Sequence, residues 1–369
     1  MELIRRSALL CAPLPRRSRG LTLIEMMISI TISLVILAAL SYAYLGSRGA
    51  YRSNENLARM QESARFALEF LGEDLRMSSF YGCRSRLMTS DRILMVARPE
   101  VPILNPTLSL PPNGVTGYEN GSGWPETPSV TVVPNNDIIT IWRATGAAAE
   151  LAEDTNQTAE TVKIVRNTAG FRKNDIVMLA DCERAVVFRV TNTPTGSTNV
   201  VLRNGATVEG GGTTNGNGNN SYVTGTSSNQ FPSMRVNARP AAYRFAGVSY
   251  FIGTNPGGRP ALYRTADGVT EELADNIEAM DILYGIDNVN GDFVADSYVP
   301  ASSVGNWAQV VSVRVSLLVA SPEATAATNV QTYLLRDTNG DGTLDSETAP
   351  DTRLRQVVTT TVSLRNRTL

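Results

Sequence analysis

Hydrophobic and polar positions divide this chain into three unequal stretches. From Met26 to Leu45 no residue is charged, and about 20 apolar residues are enough to cross the hydrocarbon core of a bilayer as a helix. Beyond Tyr51 the apolar positions thin to Leu57, Met60, Ala64, Leu68, Leu71 and Leu75. Their steps of three and four are the helical period. Arg52, Glu55, Arg59, Glu62, Arg65, Glu69, Glu73 and Arg76 fill the other faces, with Glu55 and Arg59, and Arg65 and Glu69, spaced for surface ion pairs. Residues 21–77 therefore read as one helix, about 80 Å long at 1.5 Å per residue. Its first part is apolar all round; its second is amphipathic and is expected to pack on a sheet. Gly46 and Gly49 sit at the join, where each weakens a helix by up to about 1 kcal/mol. They read as the membrane–water boundary, with a hinge as the alternative.

After Gly82 the pattern turns to short β-type runs broken by Gly, Pro, Asn and Ser. The runs predict strands at 129–133, 138–142, 176–179, 185–190, 242–245 and 248–252, then at 282–285, 309–320, 330–335 and 355–364. Alternation is cleanest where Val311, Val313 and Val315 share one face against Ser312, Arg314 and Ser316. Residues 275–279 read as a short helical turn. Residues 102–128, rich in Pro, Gly and Asn, and the low-complexity stretch 204–230 read as loops, the latter as a flexible insertion. A helix first and strands afterwards argue for an α+β fold with an antiparallel sheet.

Charge changes the meaning of the apolar run. Glu25 lies at its start, and an ionised side chain at membrane depth costs several kcal/mol, so it marks function and a nearby partner. Upstream, Arg5, Arg6, Arg16, Arg17 and Arg19 make a basic N-terminus, which keeps that end cytoplasmic and sends the remainder outward. A basic leader, Gly20, then Leu-Thr-Leu-Ile-Glu and an apolar helix resembles the class III signal peptide of type IV pilins. An ordinary secretory peptide has its cleavage site after the apolar region, not before it. The resemblance implies that a prepilin peptidase cuts between Gly20 and Leu21 and methylates the new N-terminus. Leu21 departs from the family's usual Phe but stays apolar. The resemblance also gives Glu25 the fifth mature position, where it pairs with its own amine or with that of a neighbouring subunit; a carboxylate near a helix N-terminus is in any case favoured by the macrodipole. The apolar run then serves as membrane anchor before assembly and as filament core afterwards.

Composition narrows the function. The chain of 369 residues has net charge −2, and loss of a leader of net +4 leaves about −6, which argues against nucleic-acid binding through bulk charge. Histidine is absent, which removes the commonest general base and every Ser-His or Cys-His nucleophile. No paired acid motif stands out, so an enzyme is not expected. Of three cysteines Cys11 lies in the leader. Cys83 and Cys182 remain in a segment expected to be periplasmic and oxidising, and are expected to form a disulfide; two separate buried thiols are the alternative. Asp337, Asn339, Asp341, Thr343 and Asp345 place oxygen donors at alternate positions with Gly342 at the sixth, the opening of a calcium loop. The twelfth position, Thr348, lacks the EF-hand Glu. Asn288 to Asp296 echoes the pattern with Phe293 where Gly belongs. For both loops the competing reading is a metal-free turn.

Two further blocks narrow the resemblance. Residues 61–76 with Tyr81-Gly-Cys83, and the ending 353–367, resemble the PilW minor pilins. That resemblance implies a leader (1–20), a long helix (21–77, membrane-spanning over 21–45) and a periplasmic β-rich head (78–369). It implies a subunit of a complex, with minor pilins such as PilV, PilX and FimU, that primes pilus assembly and sits near the tip. Partners would be those minor pilins, the major pilin, prepilin peptidase and the inner membrane, with twitching motility and cell adhesion as the cellular outputs. A GspJ-like pseudopilin of type II secretion and a tip adhesin are the alternatives.

Overall fold

The computed structural model describes residues 20, 22–80, 93–95, 114–155, 160–181, 185–203, 231, 233–266, 268–289, 291–324, 327, 329–337 and 342–368. The helix expected over 21–77 is α1, Leu23–Arg76. It contains no proline, and Gly46 and Gly49 do not interrupt it. The chain divides into two compact units at Glu55/Asn56. In the first unit α1 is exposed throughout and carries a segment apolar enough to cross a membrane.

In the second unit sixteen described strands follow. They are β1 (Ile93–Met95), β2 (Val115–Tyr118), β3 (Ile138–Glu150), β4 (Thr161–Ile164), β5 (Ile176–Ala180), β6 (Ala185–Arg189), β7 (Val200–Arg203) and β8 (Ala241–Thr254). The rest are β9 (Pro260–Ala266), β10 (Val269–Asp275), β11 (Ile277–Ile286), β12 (Ser297–Val299), β13 (Val310–Ala320), β14 (Thr332–Leu334), β15 (Ser346–Thr348) and β16 (Arg355–Ser363). The larger sheet runs β1-β6-β5-β8-β3-β2. The long β8 shares one edge between β5 at its start and β9 at its end, and β9 carries β10. The second sheet is β12-β11-β13-β16, and β4-β7 and β14-β15 are small ladders. Every described pairing is antiparallel except β1 with β6.

The second half of α1 packs against both main sheets. Met60, Ala64, Ala67, Leu71 and Leu75 share one core with Ile139, Tyr250 and Leu262 of the larger sheet and with Ile282, Val313 and Val315 of the second. The apolar face is rotated slightly from the expected one. Leu57 is exposed and Leu68 half-buried, while Ala67 is fully buried, because the small Ala67 lets the helix approach the sheets closely.

Several local expectations are corrected. The strands expected at 242–245 and 248–252 are one, β8, which runs through Gly247. A Cβ there would lie 2.8 Å from the Trp142 ring, so this glycine admits an indole instead of breaking the strand. The helical turn expected at 275–279 is a strand-to-strand step at Asn276, whose φ of 57° lies where the chain passes from β10 in the larger sheet to β11 in the second. The strand expected at 129–133 reduces to a single bridge from Val132 to Gly253. Within the loop expected over 102–128, Val115–Tyr118 is a strand, paired to Ile138–Ile141.

Candidate functional site

The N-terminal end of α1 is built by two residues three apart. Thr22 precedes the first helical residue, and its N–H and its hydroxyl each donate to Glu25 Oε2 at 2.9 Å. In return the Glu25 N–H donates to Thr22 Oγ1 at 3.3 Å. This is a capping box, in which a threonine and a glutamate satisfy donors that a helix start leaves open. The macrodipole alone did not disclose it; the Thr-x-x-Glu spacing is the signal that does. Both contacts use Oε2, so the carboxylate is oriented at the helix end. Gly20 is exposed, and a Cβ there would meet nothing within 4 Å. The fold itself therefore makes no demand for glycine at that position. Leu21 lies outside the described residues.

At the other end of α1 a buried acid, Asp74, joins the helix to the larger sheet. It follows Ala67 and Leu71 on the buried face and is 5% exposed. The Tyr250 hydroxyl donates to its Oδ2 at 2.7 Å, the Arg264 Nε reaches the same oxygen at 3.3 Å, and the Arg143 guanidinium pairs with Oδ1. Burial and the adjacent carboxylate push the Tyr250 phenol well above its ordinary range, so it remains a donor. Asp74 escaped the sequence reading because charged residues were assigned to the outer faces. Its spacing from Ala67 and Leu71 was the available signal.

The chain's last residues complete the fixing of α1. Val362 and Leu364 are buried in the helix core. Asn366 Nδ2 donates to the Ser78 carbonyl at 2.8 Å, just past the helix end. Arg355, with a side chain only 1% exposed, forks onto Glu278 at 2.6 and 3.0 Å and reaches Asp351 at 2.7 Å. Bidentate guanidinium–carboxylate pairs are among the stronger polar contacts. Between the sheets, Asn136 and Asp137 accept from the N–H groups of Met280 and Ile282, both at 2.8 Å. These side chains thus occupy the edge of β11 beside its pairing with β12. On the opposite face of β11, burial first and the Asp137 charge second push the Asp281 carboxyl up to about 7.

The other expected site residues fall as follows. Cys83 and Cys182 lie outside the described residues, as do Asn339 and Asp341. Asp337 Oδ2 accepts from the Gly342 N–H at 2.7 Å, and Gly342 has φ 86°, a conformation suited to glycine. In the second loop, Asp296 accepts from the N–H groups of Asn288 and Val289, and Asp287 from those of Gly291 and Phe293. Such bonds build a turn without metal. Among the described residues no group of three or more acidic or Cys side chains is placed to hold a metal ion.

A long exposed apolar helix, opened by a Glu-bearing cap and docked through its second half into an antiparallel β-rich head, has the architecture of a type IV pilin. Comparison with known families gives the same class. Residues 15–41 match the prokaryotic N-terminal methylation motif, and residues 249–366 match Type IV Pilus-assembly protein W. Together the two matches, over less than half of the chain, support a PilW-type minor pilin of the type IV pilus, and the methylation motif with the apolar helix suggests a membrane anchor. No curated protein and no solved structure matches the chain. The PilW match takes in the Glu278–Arg355 pair and all of the second sheet; the block at 61–83 lies outside it.

Proposed function

We propose that this minor pilin primes assembly of the type IV pilus and resides near its tip with other minor pilins. The carrying observation is the contrast within α1: from Leu23 to Leu45 every side chain is exposed and most are apolar, while Glu25 is held at the start by its own cap. Such a surface is satisfied by lipid before assembly and by other pilin helices after it. The oriented carboxylate then meets the amine of a neighbouring subunit as the helix leaves the membrane. In this reading the head is periplasmic before assembly and extracellular afterwards, and Cys83 and Cys182 are joined.

Intact-mass analysis of the protein from cells with and without prepilin peptidase tests the first steps. The expected mass lacks residues 1–20, gains one methyl group and lacks two hydrogens; an unprocessed mass in both strains would sink the reading. A deletion strain separates the roles. Loss of surface pili supports priming, whereas normal pili with lost attachment would make the protein a tip adhesin.

A further inference from the structure

The edges of the two main sheets are guarded very differently. On the larger sheet one outer strand, β10, carries Glu271, Glu272 and Asp275, and its register shifts between Glu272 and Ala274. Charges and a bulge of this kind keep an edge from pairing with another chain. On the second sheet the outer strands are the three-residue β12 and the longer β16. From Gln356 to Ser363 β16 reads Gln-Val-Val-Thr-Thr-Thr-Val-Ser, with no charge and no proline. Its nine residues pair with β13 in unbroken register from Arg355↔Ala320 to Ser363↔Ser312.

The hydrogen bonds at the two ends of this ladder fix which groups face outward. Leu364 N–H donates to the Val311 carbonyl at one end, and Ser321 N–H donates to the Leu354 carbonyl at the other. Both pairs keep the register of the strands between them, so the even-numbered residues of β16 are the ones that bond β13. The N–H and C=O groups of Val357, Thr359, Thr361 and Ser363 therefore point away from the sheet. Among the described residues no backbone bond reaches them from the open side. The side chains of Thr359, Thr361 and Ser363 are also exposed.

We infer that β16 is an acceptor edge, which an extended strand of a neighbouring pilin completes by pairing with Val357, Thr359, Thr361 and Ser363. Main-chain bonds give such strand addition its affinity, whatever the side chains of the donor. Geometry argues that the donor is a pilin of different sequence and not a second copy. Two antiparallel β16 strands would be related by a two-fold axis normal to the sheet; α1 packs on that sheet, so the axis would point the helices of the two copies in opposite directions, whereas subunits drawn from one membrane share one direction. A fitting donor is uncharged along its middle, as β16 is from Gln356 to Ser363. That the donor is a pilin rests on the assembly role proposed above; the open ladder does not.

The test places a photoreactive side chain at the exposed Gln356 of the full-length chain in piliated cells. Three variants accompany it: Thr361→Pro and Ser363→Pro, which each remove one outward N–H and no bond to β13, and Thr361→Ala, which removes only a side chain. The expected result is an adduct to a β-strand peptide of another pilin, kept in Thr361→Ala and reduced at least tenfold in both proline variants. Melting of the purified variants shows whether each proline variant still folds; the one that does decides. Adducts that ignore the proline, adducts to a second copy of this chain, or no adduct from a processed and folded protein would each overturn the inference. Pilus number is counted separately in the same strains. A missing adduct with normal dependence of pili on this protein rejects the acceptor edge alone, and an intact adduct in cells whose pili do not need the protein rejects the priming role alone.

Discussion

The two halves of α1 share a backbone conformation and almost nothing else. Leu23 and Val35 are 78% and 69% exposed, whereas Ala67, Leu71 and Leu75 are fully buried. The second half is held as most helices are, by an apolar face against a core, because helices draw more stability from such packing than from propensity. Among the described residues the first half has no core in its own chain. About 20 exposed apolar residues, at roughly 25 cal/mol per Å² of surface, need lipid or other helices around them. One half is therefore a question of stability and the other of assembly, and substitutions in the two should register in different measurements.

Glu25→Val gives the largest expected effect on that division. Incorporation into pili should fall by at least about tenfold, equivalent to 1.4 kcal/mol of lost interaction, as counted by immunolabelling of sheared filaments. Denaturation of the head should not change, since the hydrogen bonds of the Glu25 carboxylate among the described residues go to Thr22. A destabilised head would show that the two halves are energetically coupled after all.

Asp74→Ala tests the other half. It leaves Arg143 and Arg264 without their shared carboxylate in a largely buried site, and breaking a buried pair from one side costs about 3 to 5 kcal/mol. Denaturant titration of the detergent-solubilised chain reads this loss. Asp74→Asn keeps an acceptor for the Tyr250 hydroxyl and should lose less. A loss below about 1 kcal/mol, the size of one ordinary hydrogen bond, would mean that apolar packing alone holds the helix.

Much of this contrast was legible in the residue pattern. The change from a continuous apolar run to steps of three and four marked the two halves, and α1 begins and ends within two residues of the expected span. Alternation correctly placed Val313 and Val315 in the helix core, whereas the register shift opposite Ser312 puts Val310 there and leaves Val311 buried outside it. What escaped was tertiary in origin. Ala67 outranks Leu57 because the sheets come close to one part of the helix, a distance that no periodicity encodes. Gly247 reads as a breaker until the Trp142 ring is known to lie over it. Asp74 is polar on a buried face, and only the convergence of Arg143, Tyr250 and Arg264 from distant strands explains it. At the assembly end, Gly20 and Glu25 were visible as a motif, whereas the Thr22 half of the cap was not.

A smaller effect, confined to the head, should appear with pH. The Asp281 carboxyl is pushed up to about 7, first by burial and then by Asp137, with Glu347 and Glu119 adding to the push and Arg336 opposing it. Between the ordinary carboxylate range near pH 4 and about pH 7 the folded protein keeps a proton that the unfolded chain has released. Stability therefore falls as pH rises through that window and levels off above it. Asp281→Asn cannot ionise, so its melting temperature should gain on the parent's as pH rises from 4 to 7, with the full difference above 7. Parallel profiles would mean that Asp281 ionises normally in the folded head.

The smallest expected effect lies in the cap, and it separates helix formation from assembly. Thr22→Ala removes the hydroxyl that donates to Glu25 Oε2 and accepts from the Glu25 N–H. Losing an N-cap side chain costs about 1 kcal/mol, all of it in the first turn. Amide exchange at the first helical residues should quicken roughly fivefold, the factor that 1 kcal/mol represents, with the head unaffected. The carboxylate that meets a neighbour is still present, so pilus incorporation should change far less than in Glu25→Val. Were Thr22→Ala as damaging as Glu25→Val, the orientation that Thr22 imposes on the carboxylate, and not its charge alone, would be what assembly requires.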